Sequence, residues 1–283
     1  MPETLDHVLA ALPLRFPGAG GAVAVVKDGQ VAARHTWGYA DLERRIPFTP
    51  ASMFLICSIS KQFTLATTLL TTNLDREPDT LATALAARLP NLPNRPGALH
   101  LAHNQSGLRD YWALTALSGS PVEAPFTEAQ ARRLIARTET LHFAPGTRYS
   151  YCNQNFRLLG DMVADRMGRP LAELLRQHVF DRAGMPTARL NADSLDDMIA
   201  WERHIDATRD NPESIYQRLA APVSFADGAR AGYGFGLPEL PRSVREAALV
   251  AAGVSAAAAL AVSVLQLVVG DALLPRFVVF ASA

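Results

Sequence analysis

The stretch Ile56-Cys57-Ser58-Ile59-Ser60-Lys61-Gln62-Phe63-Thr64 runs from an apolar lead-in to a serine and, three residues on, a lysine. From Ser58 to about Asn73 the pattern turns helical, with Phe63, Ala66, Leu69 and Leu70 on one face. A residue three positions on lies on the same face one turn away, so this spacing predicts a Ser58–Lys61 pair. A serine hydroxyl is a poor nucleophile until a base takes its proton. If Ser58 opens the helix, the macrodipole favours negative charge at its oxygen. The same partial positive charge, with burial, favours the neutral, base-competent form of Lys61.

The chain has two lysines, Lys27 and Lys61, among 27 basic residues, which makes a lysine in a motif informative. With 14 serines in 283 residues, a chance Ser-x-x-Lys still arises in about one such chain in ten. The competing reading is a helix start with a solvated lysine. The apolar flanks Phe54-Leu55-Ile56-Cys57 and Phe63 oppose it, because they place the pair near a buried surface.

A second signal stands at Tyr151-Cys152-Asn153. A phenol can relay a proton when neighbouring cations act on it. An amide two residues on can hold both a lysine and a substrate carbonyl. Alone, this pattern arises by chance in about one chain in six and reads equally as a loop tyrosine with a turn asparagine. His142-Phe143-Ala144-Pro145-Gly146 marks such a loop just upstream.

In this order, about 90 residues apart, the two motifs resemble the serine β-lactamase and penicillin-binding-protein superfamily, whose sites carry Ser-x-x-Lys and then Tyr-x-Asn. The neighbouring text is similar to the D-aminopeptidase branch. It includes Gly21 to Gly29, Trp37-Gly38-Tyr39-Ala40-Asp41-Leu42 and Asn104-Gln105-Ser106-Gly107-Leu108-Arg109-Asp110-Tyr111-Trp112. Phe143-Ala144-Pro145-Gly146 running into Tyr149 to Asn153, and Asp197 to Glu202, agree. The resemblance covers roughly residues 8–237 and implies an α+β fold, an antiparallel sheet flanked by helices with an inserted, mostly helical lobe. It implies a serine hydrolase that releases N-terminal D-amino acids, D-alanine-like, from peptides, amides or esters through an acyl-enzyme on Ser58. Lys61 and Tyr151 would move the protons and Asn153 would position substrate and lysine. It implies no metal and no other cofactor, and a small peptide or amide as the substrate partner.

The sequence departs from that pattern in three ways. The superfamily's Lys-Thr-Gly or His-x-Gly strand motif should follow Tyr-x-Asn, but the last lysine is Lys61 and the last histidine His204. The stretch between Arg189 and Asp196 is compressed, and the C-terminal barrel domains of D-aminopeptidases do not follow. We therefore expect an incomplete hydrolase domain at 8–237, with C-terminal sheet strands missing, and an unrelated apolar tail at 238–283. A truncated or frameshifted gene would account for all three. The motif's strand supplies an oxyanion donor, whose loss costs about a hundred- to thousand-fold in rate. The alternatives are a β-lactamase-like esterase and a catalytically inactive remnant with a binding role.

Ala247 to Gly270 is a run of 24 residues without a charge. By length it is a membrane-helix candidate, competing with a buried helix, an Ala-rich tail and non-native coding. Ser255, Ser263 and Gln266 weaken the membrane reading. The N-terminus has no basic region or cleavage site, so the expected location is the cytoplasm, a tail-anchored membrane protein being the alternative. The net charge of zero argues against a nucleic-acid surface. Cys57 and Cys152 have no metal-ligand spacing and are read as packed thiols. Ser106 reads as a turn residue, since no base stands at helical spacing from it. His100 and His103 read as loop or core residues rather than metal ligands.

Local signals predict several further elements. Asp28-Gly29 between two apolar runs predicts a hairpin of Ala22–Val26 with Val31–Tyr39. Residues 4–12 predict a short helix ended at Pro13. Helices are also expected at 81–89, at about 128–138 behind a Thr127/Gln130 capping box, around Leu158–Val163, at 171–179, and behind a Ser194/Asp197 cap. The Gly-bulky alternation of Gly232 to Leu237 predicts a strand with close backbone approach.

Overall fold

The computed structural model describes residues 4–121 and 126–237, together with the backbone of two later strands at 250–254 and 276–282. In chain order the elements are helix α1 (Leu5–Arg15), strands β1 (Gly20–Lys27), β2 (Gln30–Asp41), β3 (Ile46–Pro47) and β4 (Phe54–Leu55), a 3-10 turn (Cys57–Ile59) and helix α2 (Ser60–Thr72). Helices α3 (Ala82–Arg88), α4 (Ala98–Ala102), α5 (Tyr111–Leu117), α6 (Glu128–Ala136), α7 (Asn153–Met167) and α8 (Leu171–Leu175) follow. A π-helical turn (Arg176–Phe180) leads to α9 (Asp181–Ala183), β5 (Ala192–Asp193), α10 (Leu195–Thr208), α11 (Ile215–Leu219), β6 (Val223–Ser224), β7 (Arg230–Ala231), β8 (Val250–Val254) and β9 (Arg276–Ser282).

The chain divides into two compact units. The first holds the residues up to Ser60, Phe180–Thr208 and the strands β8 and β9. The second holds Lys61–Val179 and the described residues 209–237.

The first unit is built on a five-stranded sheet in the order β3-β2-β1-β9-β8. Its β1–β2 hairpin turns at Asp28 and Gly29, both at positive φ (51° and 70°). Two left-handed residues in succession match the twist of the flanking strands, which is why Asp-Gly closes the turn. The amide of Gly29 donates to Asp206 of α10 at 3.1 Å. Gly20 through Val26 are all buried, without the alternation of a half-exposed strand. Both faces of β1 are covered, so both sets of side chains must be apolar. Leu9 and Leu12 of α1 pack on Val23 and Val25, with Trp37 and Phe16 alongside, and α10 also packs against β1.

Several expectations need correcting here. Helix α1 continues through Pro13 to Arg15. The sheet's later strands are not missing: β9 pairs antiparallel with β1 from Arg276 to Ser282, and β8 pairs parallel with β9. The physical reason is that Phe277-Val278-Val279-Phe280 carries high strand propensity, and the ladder it adds covers an edge of β1 that would otherwise stand unpaired. Val250–Val254 is a strand, not part of a 247–270 helix. The rest of that run lies outside the described residues. No helix among the described residues is long and apolar enough to cross a membrane.

The second unit centres on α2. Ten of its thirteen residues are buried, among them Phe63, Leu65, Ala66 and Leu69. A helix buried on every side must satisfy its polar side chains internally. Thr68 and Thr72 do so by donating to the carbonyls of Thr64 (2.8 Å) and Thr68 (2.7 Å). Helix α7 ends at Gly168 in the left-handed region, as the Gly168-Arg169-Pro170 stop predicts. The Thr127/Gln130 capping box forms. The Ser194/Asp197 cap in the first unit also forms, the Asp197 amide donating to Ser194 Oγ at 3.1 Å.

Gly232 to Leu237 is not a strand; the pairing there is β6 with β7. Gly236 takes a φ of +78°, outside the extended region. The expected close approach is present, since a Cβ on Gly236 would meet Leu65 Cδ1 at 2.7 Å.

Candidate active site

Strand β4 pairs with β5, and the amide of Ile56 donates to the carbonyl of Asn191 at 3.1 Å. The chain then enters the 3-10 turn that carries Ser58, closed by Ile59 N–H donating to the Ile56 carbonyl at 3.0 Å. Cys57, directly before the serine, sits at φ +46°, a conformation few non-glycine residues adopt. The hydroxyl of Ser60 donates to the Cys57 carbonyl. Ser58 itself is half-buried. It belongs to the first unit, on the turn that leads along the chain into α2. Strand β8 runs beside this turn.

Lys61, Tyr151 and Asn153 belong to the second unit, and the structure brings the three together. Lys61 Nζ donates to Asn153 Oδ1 at 2.9 Å. It lies 4.8 Å from the centre of the Tyr151 ring and 5.3 Å from that of Phe156. The amide oxygen and the two aromatic rings thus surround the lysine nitrogen. Lys61 is buried, whereas Tyr151 is 41% exposed. The lysine is thus sheltered while the tyrosine is partly open to solvent.

Four residues with a part in this arrangement were not singled out from the sequence. Phe156 lies three residues after Asn153 on α7, on the same face, so the helical period could have found it. Asp110 caps α5 by accepting from Trp112 N–H (2.9 Å) and Ala113 N–H (3.3 Å), and its second oxygen accepts from Asn153 N–H. Asn104 and Asn155 are fully buried and hydrogen-bonded to each other. No local pattern marks them.

The remaining candidates fall as follows. Ser106 sits in a turn, accepting from Leu108 N–H at 3.2 Å. His103 packs edge-on against Phe235 at 4.4 Å, and burial with the nearby His100 pushes its pKa down to about 4. No cluster of metal-ligating side chains occurs among the described residues. Cys152 is buried, and burial pushes its thiol up to about 12. Cys57, expected to be packed, is exposed instead and sits at a left-handed backbone position.

A sheet-based first unit whose 3-10 turn carries Ser58, and a helical second unit in which Tyr151 and Asn153 lie on Lys61, are each of the β-lactamase kind. A family model described as Beta-lactamase matches residues 14–266, and the chain belongs to that family. It is 51% identical to a D-aminopeptidase of Gluconobacter oxydans (strain 621H), over 82% of this chain and 51% of that protein. It is 45% identical to the D-aminopeptidase of Brucella canis, over 83% of this chain and 52% of that one. The chain thus spans about half the length of the curated relatives it matches. Among solved structures, the octameric penicillin-binding protein homologue from Pyrococcus abyssi superposes with a TM-score of 0.63 at 18% identity, covering 83% of this chain and 65% of that one. That likeness bears on the fold, which is α+β and β-lactamase-like.

Proposed function

We propose that the protein is a serine hydrolase of the D-aminopeptidase type. Ser58 Oγ attacks the carbonyl carbon of a small peptide or amide with an N-terminal D-residue. Lys61 takes the hydroxyl proton, and Tyr151 passes a proton to the departing amine as the carbon–nitrogen bond breaks. Water then attacks the Ser58 ester by the same route in reverse and releases the D-amino acid. Asn153 holds Lys61 through its amide oxygen and leaves its NH2 group for the substrate.

The observation that carries this reading is the Lys61–Asn153 hydrogen bond, with the exposed Tyr151 ring beside the same nitrogen. The names of the relatives supply the stereochemical class. No Lys-Thr-Gly or His-x-Gly follows Asn153 within these 283 residues, and the mechanism calls for an oxyanion donor. An edge strand such as β8, beside the serine turn, offers main-chain N–H groups of the right kind.

An active-site-directed fluorophosphonate probe tests the proposal. We expect wild-type protein to label, and Ser58→Ala and Lys61→Ala to lose labelling by at least about a thousand-fold. D-alanine p-nitroanilide against its L-isomer then tests the chirality. Folded wild-type protein that does not label would leave only a binding role.

A further inference from the structure

Residues 149–152 lie in no helix or strand, so no ladder fixes the backbone that presents Tyr151. The residue on each side of Tyr151 nevertheless donates its N–H to a partner, and both partners belong to one residue. Ser150 N–H donates to the main-chain carbonyl of Asn104 at 2.9 Å. Cys152 N–H donates to the side-chain Oδ1 of Asn104 at 3.2 Å. We propose that Asn104 is a positioning residue, which brackets Tyr151 with these two hydrogen bonds and sets where the phenol stands against Lys61. This rests on the reading of Tyr151 as the proton relay.

The bracket is itself held. A backbone N–H can only donate, so the Asn104 atom facing Cys152 must be the oxygen. That oxygen also accepts from Asn155 Nδ2 at 3.1 Å. Asn155 must then present its own oxygen the other way, where it accepts from Ser106 Oγ at 2.8 Å. The Ser106 oxygen in turn accepts from Leu108 N–H at 3.2 Å. Donor and acceptor directions agree from Leu108 to Cys152, and Asn104, Ser106 and Asn155 are all buried. The turn is pinned from its other side as well. His142 N–H donates to the Gly107 carbonyl at 2.7 Å and Gly146 N–H to that of Gln105 at 2.9 Å. A Cβ on Gly107 would meet the Phe143 carbonyl at 2.2 Å, so nothing larger fits.

Residue type and backbone agree at Asn104. Its φ is +55°, where asparagine is among the few side chains tolerated. Glycine would keep that backbone and remove the acceptor. Aspartate would keep both.

The test compares Asn104→Gly, Asn104→Asp and Ser106→Ala in the full chain. Tyrosine ring-carbon labels are read by NMR, with Tyr151→Phe assigning the Tyr151 signal. In Asn104→Gly the Tyr151 signal should shift and broaden. Turnover of D-alanine p-nitroanilide should fall about ten- to hundred-fold in kcat, with KM changed less than about two-fold, as expected for a misplaced proton relay. Asn104→Asp should restore most of both. If Asn104→Gly does not fold, Ser106→Ala decides: it should move the Tyr151 signal the same way by a smaller amount. A Tyr151 signal unmoved in the folded variants, or a kcat within two-fold of wild type, overturns the proposal. The NMR arm needs no turnover. Wild-type protein that fails to label while Asn104→Gly shifts Tyr151 would sink the hydrolase reading and keep the positioning role.

Discussion

Cys57 and Asn104 share a left-handed backbone, at φ +46° and +55°, and each lies next to a residue of the candidate site. There the likeness ends. Cys57 is exposed, and its turn is closed by short-range bonds such as Ile59 N–H to the Ile56 carbonyl. Asn104 is wholly buried, and its side chain accepts from residues 48 and 51 positions away. In the first region geometry comes from the path of the main chain. In the second it comes from a side chain that no other residue type reproduces in full. The same strained conformation therefore has different worth in the two places.

Glycine substitution at both positions separates them. Asn104→Gly relieves the backbone but strands Cys152 N–H and the Asn155 amide in a buried setting. Stranded buried donors cost about 1–3 kcal/mol each, so we expect a net loss of about 3 kcal/mol in chemical denaturation. An unchanged midpoint would erase the comparison.

His103, beside Asn104, gives a second measure of the buried turn. Its pKa is about 4 in the fold, lowered by burial first and His100 second, against an ordinary value near 6.5. Between those values the unfolded chain binds a proton that the folded chain does not. Stability present above about pH 6.5 is thus lost as the pH falls towards 4, by about 2–3 kcal/mol at most. His103→Phe should flatten that part of the pH–stability curve, and an unaltered slope would show that the histidine is not buried as described.

Cys57→Gly should do the opposite of Asn104→Gly and stabilise the protein by up to about 1 kcal/mol, because glycine takes the left-handed backbone without strain. A destabilised variant would mean that the thiol contributes packing after all. The smallest effect concerns reactivity: at pH 8 a thiol reagent should modify Cys57 in the native protein. Cys152, with its thiol pushed up to about 12 by burial, should react only on unfolding. Two equivalents reacting at equal rates would contradict the difference in burial.

How much of this was legible differs along the chain. The β1–β2 hairpin could be read because Asp28-Gly29 fixes a turn type by itself. The caps of α6 and α10 could be read because a cap is completed within four residues. The Gly232–Leu237 strand was misread: alternation of glycine with bulky residues has the period of a strand, but Gly236 takes a left-handed bend against α2. The strands at 250–254 and 276–282 fall in the expected tail, because β9 pairs with β1, some 250 residues earlier in the chain, and β8 pairs only with β9. Lys61, Tyr151 and Asn153 were singled out as motif residues, yet the partners that hold Tyr151 and Asn153 in place were not.

The sequence by itself determined the spacing Ser58-x-x-Lys61, the presence of Tyr151-x-Asn153 and the residue types that could do acyl-transfer chemistry. Spacing of that kind is local and survives in one dimension. Only the tertiary structure decided that the Tyr151 and Phe156 rings flank the Lys61 that Asn153 holds, and that Asn104 accepts from the residues on both sides of Tyr151. A hydrogen bond between residues 48 or 92 apart leaves no periodicity in the chain. It exists because burial removes water as a competitor and makes each unpaired donor costly, so the fold must find it a partner.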